Sequence, residues 1–323
     1  MKTVFLYDGP HPAHAAWAES IGSIFVSNTL SGLRIPNLSR LLKTFAVLKD
    51  IPAGTDLLLC ESGAEIPAGA LWKRRNPDKK LVLIVDDPKL FFLPKMAPPK
   101  RWMYHWALPY YDLFIPTSRF MQGCIPPEHR DRSAVIPLFV EDKYRFSDPA
   151  DLNKRNIIFV GRVGMEKGVD RIIEAYRMVQ KDFPESRLYI VGDGPLKKPL
   201  ERKNRDVVFT GMLDEPLEAL RKGSLYMNLA RVEPFGIAIL EAMCLGLVPI
   251  VTPQVGLAED VKAVSPELIV EGPTQGAEMV RRLWGDPQLL KELSSRGRKV
   301  AKKFTKEKSL ESFRETIRPH LGL

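Results

Sequence analysis

Apolar positions come in short runs separated by longer mixed stretches over most of the chain. Residues 3–7, 56–60, 81–85 and 113–117 read as buried strands, each followed by a loop and mostly by a segment with helical spacing. That alternation predicts a mostly parallel sheet. The run 135–139 leads through Glu141, Asp142 and Phe146 into the polar stretch 147–155, where a linker is expected. Strand-like runs resume at Asn156, Leu188, Val207, Leu225, Val248 and Leu268, with helices between them, and 305–321 is again helical. The pattern predicts two α/β halves and contains no internal repeat, low-complexity tract or GxGxxG dinucleotide fingerprint.

Two motifs in the second half carry candidate chemistry. The strand 156–160 runs into a basic, glycine-rich loop, Gly161-Arg162-Val163-Gly164-Met165-Glu166-Lys167-Gly168, before a helix marked by Val169, Ile172, Ile173, Tyr176 and Val179. In open α/β sheets ligands bind at that end of a strand. Arg162 can fork onto a pair of phosphate oxygens and Lys167 can act as a compact point charge, so together they can neutralise a diphosphate without a metal. Two exposed basic loop residues are the plainer alternative. Further on, Glu233-Pro234-Phe235-Gly236-Ile237 opens an apolar helix that carries Glu241 about two turns along. A helix start offers unpaired N–H groups and positive dipole charge, so diphosphate oxygens can dock at Phe235, Gly236 and Ile237 while the two carboxylates reach hydroxyls. Electrostatic capping by Glu233 and a solvated Glu241 are the alternative.

With both motifs in order, the chain resembles the retaining glycosyltransferases of the GT-B fold, most closely family 4, the glycogen-synthase-like and mannosyltransferase-like group. Gly192-Asp193-Gly194-Pro195 is similar to that family's next strand end, Phe209-Thr210-Gly211 to its base-contacting strand, and Glu233 to Glu241 to its Glu-x₇-Glu signature. The likeness is strong over about 155–305 and thin before that. It implies two Rossmann-like domains facing a central cleft: 1–150 for the acceptor, with a C-terminal helix at about 305–323 packing back on it, and 151–304 for a nucleotide-sugar donor. It also implies that Arg162 and Lys167, with the backbone of Gly161 and Gly192, hold the donor diphosphate. Glu233 is then expected on the transferred sugar, Glu241 on the ribose, backbone at Gly211, Met212 and Leu213 on the base, and the amides of Phe235, Gly236 and Ile237 on the distal phosphate. The implied reaction is metal-independent transfer from a UDP- or GDP-linked sugar to a hydroxyl, with retention. A phosphate oxygen takes the acceptor's proton on the face that the diphosphate leaves.

Three positions depart from the family pattern. Leu229-Ala230 stands where members often carry Pro-Ser, Asp86-Asp87 where many carry His-Asp, and Asp8-Gly9-Pro10-His11-Pro12-Ala13-His14 where a glycine pair often closes the first loop. Asp86, Asp87, Gly9, His11 and His14 are therefore acceptor-side candidates, joined by Glu61, which with Ser62 and Glu65 follows the second predicted strand and is expected to face the same cleft; a strand-end turn before Pro88 is the simpler use of the two aspartates. A catalytically weak nucleotide-sugar-binding subunit and a GT-B sugar-nucleotide epimerase are the competing readings.

Composition changes this picture little. At 323 residues with 45% hydrophobic side chains, the chain is long enough for two cores and too apolar for disorder. Cys60, Cys124 and Cys244 are far apart and lack CxxC pairing, which reads as reduced cytosolic thiols and no metal site. No apolar stretch reaches the roughly eighteen residues a spanning helix needs, and no signal peptide is read before Asp8. The net charge of +9 divides as 19 basic against 15 acidic residues up to 150 and 29 against 24 beyond, so no dedicated nucleic-acid domain is expected. The segment 95–111 interleaves Lys95, Lys100 and Arg101 with Trp102, Tyr104, Trp106, Tyr110 and Tyr111. It suits peripheral contact with the inner face of a membrane, or a buried aromatic helix with a basic edge. The expected partners are a nucleotide sugar and a sugar, polyol or lipid-linked acceptor; no cofactor is expected, and the expected location is the cytoplasm.

Overall fold

The structure, a computed structural model, describes residues 1–7, 12–27, 48–61, 63 and 65–321. Gly9 and His11 lie outside the described residues. The chain forms two compact units, Met1–Leu138 with Glu307–Leu323, and Phe139–Lys306.

In the first unit, β1 (Thr3–Tyr7), β2 (Ile24–Ser27), β3 (Leu57–Cys60), β4 (Lys80–Val85) and β5 (Leu113–Pro116) form one sheet in the order β2-β1-β3-β4-β5, with every pairing parallel. β3 and β5 are buried along their whole length. Continuous apolar runs are what a parallel sheet covered on both faces demands, which is why these strands were readable. The second unit repeats the plan with β6 (Asn156–Val160), β7 (Arg187–Val191), β8 (Val208–Gly211), β9 (Leu225–Asn228) and β10 (Val248–Val251), in the order β10-β9-β6-β7-β8. The strand expected at Leu268 is instead a 3₁₀ turn, Pro266–Leu268, touching the sheet through a single bridge from Ile269 to Val251.

Both sheets reverse their direction of growth once. In the first unit the reversal falls between β1 and β3, and in the second between β6 and β9. Loops diverge at such a switch point, which leaves a crevice at the carboxyl ends of the two strands.

Residues 139–150 belong to the second unit. The Val140 amide donates to the Phe304 carbonyl at 3.1 Å, the Ala150 amide donates to the Leu245 carbonyl at 2.8 Å, and Tyr144 is buried. In the first unit the C-terminal helix Lys306–Ile317 buries Phe313 against Trp17, with ring centroids 5.2 Å apart and planes 6° from parallel. The Trp17 indole N–H donates to Ser309 Oγ at 2.9 Å, and that hydroxyl donates to the Pro137 carbonyl at 2.7 Å.

Candidate active site

The switch point of the second unit brings the two charged motifs together. The loop after β6 turns at Gly168, whose φ of +65° is left-handed and where a Cβ would lie 2.0 Å from the Leu229 carbonyl oxygen. Only glycine admits that approach of one loop to the other. From there the β9 loop is stitched to the β6 loop. The amides of Arg231 and Val232 donate to the Glu166 carbonyl at 2.8 and 3.2 Å. The Arg231 guanidinium forks onto both carboxylate oxygens of Asp170 at 2.8 and 2.6 Å and also donates to the Met165 carbonyl at 2.8 Å. Its hydrogen bonds hold the Asp170 carboxyl below the usual carboxylate range. Lys167 Nζ donates to Glu233 Oε2 at 2.8 Å, with the two side chains 19% and 15% exposed. The pair is therefore accessible, but each partner fixes where the other points. Beneath it the Tyr226 hydroxyl donates to the Val160 carbonyl at 2.9 Å, and burial together with the charge of Glu233 pushes its phenol up.

The backbone of Glu233 is anchored as well, its amide donating to the Gln254 carbonyl at 2.9 Å and its carbonyl accepting from the Gly256 amide at 2.8 Å. Phe235 is buried, with its ring edge-on to Phe304. Gly236, at φ +103°, leads into the helix Ile237–Cys244. Glu241 lies on that helix, half-buried, and its carboxyl is pushed up to about 7 by burial, with repulsion from Glu141 and Glu215 partly offset by Lys143. Arg162 is exposed at the start of the β6 loop. At the end of β7 the Gly192 amide donates to the Gly211 carbonyl at 2.8 Å, joining two of the donor-side glycines, and Met212 and Leu213 beyond them are 74% and 38% exposed. Ala230 is buried, and the polar groups around it turn to backbone: Thr252 Oγ1 donates to its carbonyl at 2.7 Å, and Asn228 Oδ1 accepts from its amide at 3.1 Å.

The first unit assembles three of the acceptor-side candidates at its own switch point. His14 belongs to the helix Pro12–Ser20, not to a loop, and is fully buried. Its Nδ1 lies 3.1 Å from Glu61 Oε1 at the end of β3, and its Nε2 lies 3.5 Å from Asp86 Oδ2 at the end of β4. Burial disfavours the imidazolium, but the hydrogen bond it donates to Glu61 and the charges of Asp86 and Glu61 outweigh that, so the net shift of His14 is upward. Thr117 Oγ1, past the end of β5, donates to Asp86 Oδ1 at 2.6 Å. Asp87 is engaged differently: its carboxylate accepts from the Lys89 amide at 2.8 Å, closing the turn over Pro88, and pairs with Lys89 Nζ at 2.5 Å. Thr117, Tyr226 and Arg231 were not singled out from sequence, and none of the three sits in a distinctive local motif; Asp170 closes the stretch that begins at Gly161, but its pairing with Arg231 has no local signal. Among the described residues no group of His, Cys, Asp and Glu side chains is arranged to hold a metal ion, and no helix is long and apolar enough to cross a membrane.

Comparison with known proteins bears on family and fold. The uncharacterized glycosyltransferase MJ1178 of Methanocaldococcus jannaschii is 25% identical over 305 residues, covering 91% of this chain and 84% of that protein. Sulfoquinovosyl transferase SQD2 of Arabidopsis thaliana is 37% identical over 136 residues, 41% of this chain; the match spans only 26% of SQD2. The crystal structure of Anabaena Alr3699/HepE in complex with UDP and glucose superposes with a TM-score of 0.76 at 17% identity, covering 100% of this chain and 99% of that one, a likeness of fold. A model of the family described as glycosyl transferases group 1 matches residues 140–300, and the chain belongs to that family and has the GT-B architecture.

Proposed function

We propose that the chain transfers a hexosyl unit from a nucleoside-diphosphate sugar, UDP- or GDP-linked, to a hydroxyl acceptor with retention and without a metal. The observation that carries this reading is the Lys167–Glu233 pair at the β6/β9 switch point. A cation and a hydroxyl-accepting carboxylate held 2.8 Å apart suit the junction between a diphosphate and its sugar. In this mechanism Lys167 and Arg162 stabilise charge on the departing diphosphate, and the first-turn amides at Phe235, Gly236 and Ile237 take its distal phosphate. Glu233 orients the sugar hydroxyls, Glu241 the ribose, and the backbone of Gly161, Gly192, Gly211, Met212 and Leu213 the remaining phosphate and base. The acceptor oxygen forms its bond to the anomeric carbon as the bond from that carbon to the phosphate oxygen breaks, and the acceptor proton passes to that oxygen. The protein's share is positioning and electrostatic stabilisation. The UDP bound by HepE makes uridine the first base to test. A cytoplasmic location, with peripheral membrane contact through 95–111, is part of the same reading.

A thermal-shift panel of nucleoside diphosphates and sugar nucleotides tests the donor, since a ligand that binds only the folded state raises its melting temperature. With the donor in hand, Lys167→Ala and Arg162→Ala are each expected to lower turnover by about 10²–10³-fold. Glu233→Gln is expected to slow transfer with the fold intact. Donor binding with no transfer to any acceptor would favour the binding-subunit alternative, and no shift with any nucleotide would refute the assignment.

A further inference from the structure

The first unit holds a cavity of about 860 Å³ outside the His14 cluster, walled by the segments that follow β4 and β5. The walls are the helix Lys89–Phe92 and turn Leu93–Lys95, the helices Pro98–Ala107 and Arg119–Cys124, and the turn Pro127–Arg132. Leu90, Leu93, Phe91, Phe120 and Ile125 supply an apolar lining. Arg101, Arg119 and Arg130 stand among the lining residues against one carboxylate, Glu128, with His105 beside them. Arg130 is fixed by carbonyl oxygens, donating to Ile125 at 2.8 Å and Gly123 at 2.6 Å, and Arg101 makes only a 3.4 Å bond to the Pro94 carbonyl. Neither guanidinium meets a carboxylate among the described residues, so their charge is left for something else. Two of the same helices carry aromatic rings into solvent: Phe92 is 37% exposed and Trp102 70%.

An apolar cavity of ligand size, a cationic lining and neighbouring exposed rings together match an amphiphile with an anionic head. A polar metabolite would waste the lining, and an uncharged hydrocarbon would waste the arginines. We propose that this cavity receives one hydrocarbon chain of an anionic membrane lipid, whose head group pairs with Arg101, Arg119 and Arg130. The exposed rings of Phe92 and Trp102 then lie at head-group depth, where amphipathic aromatics are favoured. The proposal rests on the membrane-contact reading of 95–111 and adds to it a chain-binding site.

Gly123 offers a clean test, because it lines the cavity, has an ordinary negative φ, and a Cβ built there meets nothing within 4 Å. The full chain is co-sedimented with phosphatidylcholine vesicles and with vesicles that also contain phosphatidylglycerol. Binding to the anionic vesicles alone is expected. Reversing two charges with Arg101→Glu and Arg119→Glu is expected to weaken it about 30-fold or more. Gly123→Trp plugs the cavity and leaves every charge in place; it is expected to weaken binding at least about tenfold, whereas Gly123→Ala binds as wild type. Gly123→Leu replaces the tryptophan variant if that variant melts early. Anionic binding unchanged by the plug would overturn the chain site while leaving surface contact by 95–111 intact. Binding to neither vesicle, or equally to both, would overturn the proposal and the contact reading together. Nucleotide binding is measured on each variant; its loss or retention in the wild type bears on the donor assignment alone.

Discussion

At the scale of single residues the sharpest consequence concerns Glu241. Its carboxyl, pushed up to about 7, is largely protonated a unit below that value and ionised a unit above it. On the proposed role, the ionised form accepts ribose hydroxyls better than the acid does, so donor binding releases a proton and affinity rises with pH. UDP-glucose, which has no phosphate titrating near neutrality, is expected to bind about tenfold more weakly at pH 6 than on the alkaline plateau. Glu241→Gln is expected to flatten that profile, and calorimetry across the range checks both. Arg162, Lys167 and Glu233 stand out in the sequence because each lies in a local motif that contains glycine, and the structure pairs Lys167 with Glu233 and leaves Arg162 exposed. The His14 cluster was legible only as fragments: Glu61 lies 47 positions from His14, and no local spacing reports that a helix after β1 will lay its imidazole across the ends of β3 and β4. Asp86 and Asp87 look interchangeable in the sequence, yet one faces His14 and Thr117 while the other caps a turn through Lys89.

At the scale of elements, the helix Lys306–Ile317 is the one whose removal would be felt farthest along the chain. Phe313 is fully buried and stacked on Trp17, and large-to-small truncation of such an aromatic typically costs about 3–5 kcal/mol. Phe313→Ala is expected to lower the stability of the first unit by that order, read by denaturant melts that follow the buried Trp17 indole. Most strands could be read from their apolar runs because both faces of each sheet are covered. β2 was missed because it is four residues long and its first residue, Ile24, is 46% exposed, so too few buried positions mark it. Leu268 misled in the opposite sense. It is fully buried, but the proline two residues earlier holds the backbone in a 3₁₀ turn, so burial alone does not make a strand.

For the molecule as a whole, the two units have separate sheets and separate cores, and the candidate donor residues all lie in the second. Calorimetric unfolding is therefore expected to resolve two transitions, with a bound nucleoside diphosphate raising only one of them. At one hundred times its dissociation constant the ligand adds about 2.7 kcal/mol to the unit that holds it. Phe313→Ala is expected to move only the other transition, and a single transition displaced by both would contradict this division. The polar stretch 147–155 gave the boundary only approximately, because Phe139, Val140 and Tyr144 ahead of it are apolar enough to pack and do so on the second unit. The return of 307–323 to the first unit also bears on how the chain comes off the ribosome. The second unit is continuous in sequence and can close as soon as its own residues emerge, whereas the first unit must wait, with Trp17 unstacked, until Phe313 has emerged as well. Birth order and completion order are thus reversed: a nascent chain whose residues up to 306 have left the ribosome while Phe313 has not would carry a closed second unit and an open first one.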